Sequence, residues 1–211
     1  MIRIRRDSST AIIVVHEIYG LNEHMRFACQ TLSGHGYDVF CPDLLGRGIP
    51  FDYSQEEEAY ASFMGNVGFA RALEPINHLL SSIEHEYRKI VVVGFSVGAA
   101  VAWLCGAERP VDGIVGFYGS RIRNYMDREP RCPALLFFPQ EEKSFNVDEL
   151  IAALSRKRNV EVHQYAGRHG FADPFSPQYN EASAEEAWGE MLTFLGRIHG
   201  QQGQLANSTP I

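Results

Sequence analysis

The chain has 211 residues, a formal net charge of −7 and an ordinary mix of apolar and charged residues. That length suits one domain with a large core, and the composition excludes disordered and collagen-like classes. The acidic balance argues against nucleic acid, which needs a basic face, and no apolar run approaches the roughly 20 residues of a membrane span.

"MIRIRRDSST" opens the chain with basic residues. The apolar run behind it, "AIIVV", is too short for the core of a signal peptide, so a cytoplasmic location is expected. "AIIVVHE" reads as a buried strand and "NEHMRFACQTLSGHG" as the following helix, with Asn22 as N-cap and Gly34 or Gly36 as the stop. "YDVFCPDL" is the next strand. From Ser54 to Tyr87 the pattern is helical but broken: Phe69, Leu73, Ile76, Leu80 and Ile83 make one stripe, and Pro75 predicts a kink or a fresh start. "KIVVVGF" is a strand and "VGAAVAWLCGAE" a helix; "VDGIVGFYG" and "CPALLFFPQ" are two more strands joined by a short polar segment. Asn146 and Glu149 form a capping-box-like start for the next helix. "VEVHQYAG" is the last strand, and Ala184, Trp188, Met191, Leu195 and Ile198 line one face of the last helix. The expected organisation is a single domain over 1–199 and a flexible tail over 200–211.

Strands apolar on both faces, alternating with helix-length segments, predict a mostly parallel sheet covered by helices on both sides. Such sheets place their sites at the carboxyl ends of the strands. The residues there are Glu17, Asp43, Ser96, Tyr118, Glu141, Glu142 and His169. Cys29, Cys41, Cys105 and Cys132 form no C-x-x-C pair, which argues against structural zinc and thioredoxin-like chemistry and fits a reducing compartment.

"GFSVG" puts Ser96 between two glycines where a strand hands over to a helix. A corner that sharp strains its central residue and exposes its side chain above the helix N-terminus, the geometry of a nucleophile elbow. The competing reading is a small residue filling a tight turn. A hydroxyl needs a base to become a nucleophile. His169, in the loop "YAGRHGFADP" after the last strand, suits that role best. His24, His35, His78, His85 and His199 fall on helix surfaces or ends, His163 lies inside a strand, and His16 reads as a packed or hydrogen-bonding group. Serine, acid, histidine is the chain order of the α/β-hydrolase fold, so the acid is sought in "QEEK"; the strand end alone does not separate Glu141 from Glu142. The oxyanion would be met by the amide of Val97 and by one from the turn "HEIYG", that of Ile18.

"VVHEIYGLNEHMR", "GYDVFCPDLLGR", "GFSVGA", "GFYG" and "AGRHGFADP" together resemble the dienelactone hydrolase family of the α/β-hydrolase superfamily, over about Ala11 to Leu195. The resemblance implies Glu142 as the acid, nine positions after Pro133. It matches Glu17 to the family's glutamate near the nucleophile and Ile18 to its second oxyanion amide. This chain departs from the type enzyme in carrying Ser96 instead of cysteine, which leaves Glu17 open between a functional and a structural role. It also carries Asp173 in place of an arginine that helps hold the substrate's carboxylate, so an anionic lactone would be repelled; Arg47, Arg71, Arg121 and Arg168 are the cations that could offset this.

The expected function is a serine hydrolase of small carboxylic esters or lactones, acting through an acyl-enzyme with Ser96, His169 and Glu142. The site would be lined by Glu17, Tyr19, Tyr118 and Phe171, with no lid domain and no metal or organic cofactor. A small-molecule substrate is the expected partner; the oligomeric state is left open, a monomer included. The alternatives are a non-catalytic binding module on the same fold and an acyltransferase using the same three residues.

Overall fold

The computed structural model describes residues 1–142 and 145–200. The expected tail lies outside the described residues, apart from Gly200 at the end of the last helix. Seven strands form one sheet: β1 (Ile2–Ile4), β2 (Thr10–Val15), β3 (Asp38–Cys41), β4 (Lys89–Phe95), β5 (Gly113–Phe117), β6 (Ala134–Glu141) and β7 (Val160–Arg168). Their order is β1-β3-β2-β4-β5-β6-β7, and every pairing is parallel except that of β1 with β3. Among the described residues six α-helices accompany them: α1 (Glu23–Gly34), α2 (Glu56–Ser62), α3 (Gly68–Ile83), α4 (Val97–Glu108), α5 (Val147–Leu154) and α6 (Glu181–Gly200).

The alternation of side chains along a strand builds two cores. Ile13 and Val15 of β2 face the layer that holds α3, α4 and α5, whereas Ile12 and Val14 face α1 and α6. Helix α4 is buried from Val97 to Gly106 all round, as its unbroken run of small and apolar residues dictates. Asn22 caps α1 by accepting the Met25 amide at 3.2 Å, and the Asn146 side chain accepts the amides of Asp148 and Glu149 at the start of α5.

One expectation changes, and one element is new. The break in the long helical stretch falls at Gly68, at φ 64° after a π-type turn over Phe63–Val67, and α3 then runs through Pro75 to Ile83. A positive φ ends the helical path outright, whereas one proline removes a single hydrogen bond, which the packed stripe of α3 outweighs. The basic N-terminal stretch also forms a strand, β1, which lies on β3.

β7 forms the other edge of the sheet, with half-exposed or exposed residues along nearly all of its nine positions. The chain passes from β2 to β3 on one side and then crosses back to β4 on the other, so the carboxyl ends of β2 and β4 lie side by side where the winding reverses. A crevice opens at such a point. Glu17 and Ser96 stand on its two sides.

Candidate active site

Ser96 sits at φ 54° and ψ −117°, a left-handed conformation for a residue with a side chain. The glycines make it possible. A Cβ at Gly94 would lie 2.1 Å from the Gly98 carbonyl oxygen, and a Cβ at Gly98 would lie 2.2 Å from that of Val15. No larger residue lets strand β4, helix α4 and strand β2 approach this closely. The Ser96 amide donates to the Phe117 carbonyl at 2.9 Å, tying the corner to β5. From Ile90 to Gly106 every residue is buried except Ser96.

His169 reaches this hydroxyl from the loop after β7. Its Nε2 stands 2.8 Å from Ser96 Oγ, and its Nδ1 stands 2.7 Å from Glu142 Oε1. Glu141 pairs instead with Arg168 at 2.9 Å. Between Pro139 and Glu141 the register of β6 against β7 slips by one residue, which separates the facings of these two carboxylates. The loop that bears His169 is closed by hydrogen bonds from the Phe171 amide to Arg168 and from the Asp173 amide to Gly170, each at 3.0 Å. Burial lowers the pKa of His169, but the Glu142 hydrogen bond and the charges of Glu142, Glu17 and Glu56 outweigh it and hold the imidazole above its ordinary value.

Val97 opens α4, and Ile18 lies in the turn after β2. Among the described residues neither amide donates a hydrogen bond. His16 holds the second of these peptides in place. It is fully buried, its Nδ1 donates to the Glu17 carbonyl, and its Nε2 accepts the Leu44 amide at 2.9 Å. Burial holds the pKa of His16 down, so the ring is a neutral tautomer set by these two partners. Because a trans peptide points its C=O and N–H in opposite directions, fixing the Glu17 carbonyl fixes the Ile18 N–H.

The other expected residues fall into two groups. Tyr19 is half-buried. Tyr118 and Phe171 are fully buried rather than forming an open wall: the Tyr118 ring packs tilted against the imidazole, 4.9 Å between centres, and edge-on to Phe171 at 5.7 Å. Tyr118 also donates to Glu17 Oε1 at 3.0 Å. Glu17 is buried; desolvation pushes its pKa up, but His24, His169 and Tyr118 bring it below the usual carboxylate range. Asp43 folds its own loop by accepting the amides of Leu45, Gly46 and Gly48. Arg168 is taken up by Glu141, Arg71 by the carbonyls of Val67 and Gly65, and Arg47 lies over the Phe51 ring. Arg121 donates to the Tyr60 hydroxyl.

His24 lies at a helix end, in the first turn of α1, but it is fully buried, which the sequence reading did not foresee. Asp173 beside it is 1% exposed and accepts the Tyr53 hydroxyl. The signal was present: His24 falls four residues before Ala28 and eight before Leu32, on the apolar stripe of α1.

A reversing parallel sheet, a strained serine at the end of its central strand, and an imidazole and carboxylate from later loops define the α/β-hydrolase class. Within it, residues 3–199 match the model of the dienelactone hydrolase family, and the chain belongs to that family and is a hydrolase. The chain is 40% identical to the uncharacterized protein YczH of Bacillus subtilis, over 81% of this chain and 85% of that one. It is 26% identical to a Cupriavidus pinatubonensis protein named Carboxymethylenebutenolidase 1, over 91% of this chain and 88% of that one. A crystal structure from Klebsiella pneumoniae, of a protein named only as a candidate dienelactone hydrolase, superposes with a TM-score of 0.75 at 25% identity, covering 89% of this chain and 86% of the other.

Proposed function

We propose that the chain hydrolyses small carboxylic esters and lactones through a covalent acyl-enzyme on Ser96. The observation that carries this reading is the continuous line from Ser96 Oγ through His169 to Glu142, at 2.8 and 2.7 Å. His169 Nε2 takes the proton of Ser96 as the oxygen attacks the acyl carbon. Glu142 accepts the Nδ1–H bond and so keeps the attacking face of the ring unprotonated. The Val97 and Ile18 amides receive the negative oxygen of the tetrahedral intermediate. His169 then passes its proton to the departing alkoxide, and a water deprotonated by the same nitrogen releases the acid. Positioned acid–base help supplies about 10²–10⁴-fold, and one oxyanion donor about 10²–10³-fold.

The family and the name of the Cupriavidus relative support lactones among the substrates. Four free, buried cysteines fit a cytoplasmic location, and among the described residues no helix is long and apolar enough to cross a membrane.

The test combines a fluorophosphonate probe with turnover of short-chain p-nitrophenyl esters and simple lactones, on the wild type and on Ser96→Ala. Stoichiometric labelling of the wild type, lost in the variant together with at least about 10³-fold of kcat/KM, is the expected result. Folded wild-type protein that takes no label and turns nothing over is a binding module and overturns the reading. Products diverted to added alcohol acceptors in preference to water would reassign it to acyl transfer.

A further inference from the structure

Beneath the serine and histidine lies a second constellation that the proposed reaction does not use as acid, base or nucleophile. Glu17 follows β2, His24 lies in the first turn of α1, and Asp173 comes four residues after His169. Each offers one ligand-type atom, and these atoms all lie within 4.8 Å of one another. All three residues are buried, at 5%, 0% and 1% exposure respectively. His24 Nδ1 stands 3.3 Å from Glu17 Oε1 and 3.5 Å from Asp173 Oδ2. Neither nitrogen of His24 makes a hydrogen bond among the described residues, although both are shut off from solvent.

A buried imidazole that makes no hydrogen bond is rare, and two buried carboxylates need positive charge beside them. The separations indicate what would satisfy both. Ligands bonded at about 2.0–2.1 Å around a tetrahedral centre lie about 3.3–3.4 Å apart. Around a water at a hydrogen-bond length of about 2.8 Å they would lie about 4.6 Å apart. The distances of 3.3 and 3.5 Å match the shorter spacing. The carboxylates are also oriented from outside: Tyr118 donates to Glu17 Oε1 and Tyr53 to Asp173 Oδ2, the kind of outer hydrogen bond that steadies ligating carboxylates.

We propose that Glu17, His24 and Asp173 form a binding site for a divalent cation of the zinc type. One nitrogen and two oxygens suit zinc, its two positive charges balance the two carboxylates, and a fourth position is left for water. The ion would clip the turn that bears Ile18 and the first turn of α1 to the loop that bears His169. The proposal does not rest on the catalytic reading, and its test reads metal directly.

Protein stripped with a chelator is titrated with zinc by calorimetry, and its metal content is measured after gel filtration. One equivalent per chain is expected, with a thermal midpoint raised by about 5 °C when zinc stands near a hundredfold over its dissociation constant. Cobalt in place of zinc should give the visible absorption of a tetrahedral site in the wild type, a readout that needs no variant. Folded His24→Ala should lose the equivalent and the cobalt band, whereas His163→Ala should keep both. His163 is the informative control because it is partly exposed and stands between Glu161 and Glu190 at 3.1 and 3.0 Å. No bound zinc or cobalt at submillimolar metal overturns the proposal, as does binding that survives His24→Ala or disappears in His163→Ala.

Discussion

Ser96 pays for its exposed hydroxyl with a backbone conformation that costs on the order of 1–3 kcal/mol. A buried helix on one side and β5 on the other hold it there. His169 has to be neutral to accept the serine proton, and its pKa is raised: burial pulls it down, but Glu142 and the neighbouring carboxylates pull it further up. The base is therefore lost to protonation at a higher pH than for an ordinary histidine. We predict that kcat/KM on an uncharged ester rises with pH through a midpoint above about 6.5. Glu142→Gln removes the first of the upward causes, so the midpoint should fall while the plateau drops by about 10²–10⁴-fold. A pH–rate profile of the two proteins checks both, and an unmoved midpoint would remove Glu142 from its role. At this scale the sequence was legible wherever the chemistry is local. Gly-Phe-Ser-Val-Gly carries its own geometry, and the histidine follows from strand order. The burial of His24 was signalled by its place in the stripe of α1, but its meeting with Glu17 and Asp173 was not, because those carboxylates come from other segments.

Between elements, the turn after β2 and the loop after β3 are joined by one side chain. His16 takes the Leu44 amide on one nitrogen and gives its proton to the Glu17 carbonyl with the other. The sequence marked it as a packed or hydrogen-bonding group; its partners could not be read, because where the β3 exit loop comes to rest is a tertiary fact. The prediction is that His16→Ala lowers kcat by about 10²-fold and leaves KM within about threefold, the pattern for losing a contact made in the transition state. Fluorophosphonate labelling should slow in parallel. A rise in KM at constant kcat would show that the histidine shapes binding instead. The same limit explains the helix break. Hydrophobic spacing located the stripe of α3 correctly, whereas the backbone angle of Gly68 that starts it has no periodic signature.

For the molecule as a whole, Asp38 at the start of β3 fastens the N-terminal strand to the sheet. It is buried and accepts the Arg6 amide at 2.6 Å, the Ser8 amide at 3.1 Å and the Tyr87 hydroxyl at 2.6 Å. Burial pushes its carboxyl pKa up, but Tyr87, the two amides and Arg5 bring it below the usual value. A group depressed in the folded state contributes stability above its unfolded pKa, about 3.9, and that stability is lost as the pH falls through the folded value. Asp38→Asn should therefore cost about 1–3 kcal/mol at neutral pH and flatten the acid limb of the stability curve, measured by urea unfolding at several pH values. An equal loss at pH 2 and pH 7 would contradict the linkage. A mostly parallel sheet covered on both sides follows from the alternating strand and helix patterns; the strand order and its reversal did not, since pairing is a tertiary fact, nor did the short β1, since three alternating residues are too few to distinguish a strand from coil.

Among the described residues β7 leaves one side of its backbone without a neighbouring strand; along that rim Glu161 and Arg168 are held in ion pairs with Arg197 and Glu141, and His163 lies 3.0 Å from Glu190. To dock there, a foreign strand would have to strip those charges of water and of their partners. The rim is thus guarded against the strand-to-strand joining that leads to fibrils, and replacing these three side chains with apolar ones would be the shortest route to an aggregating form of an otherwise intact fold.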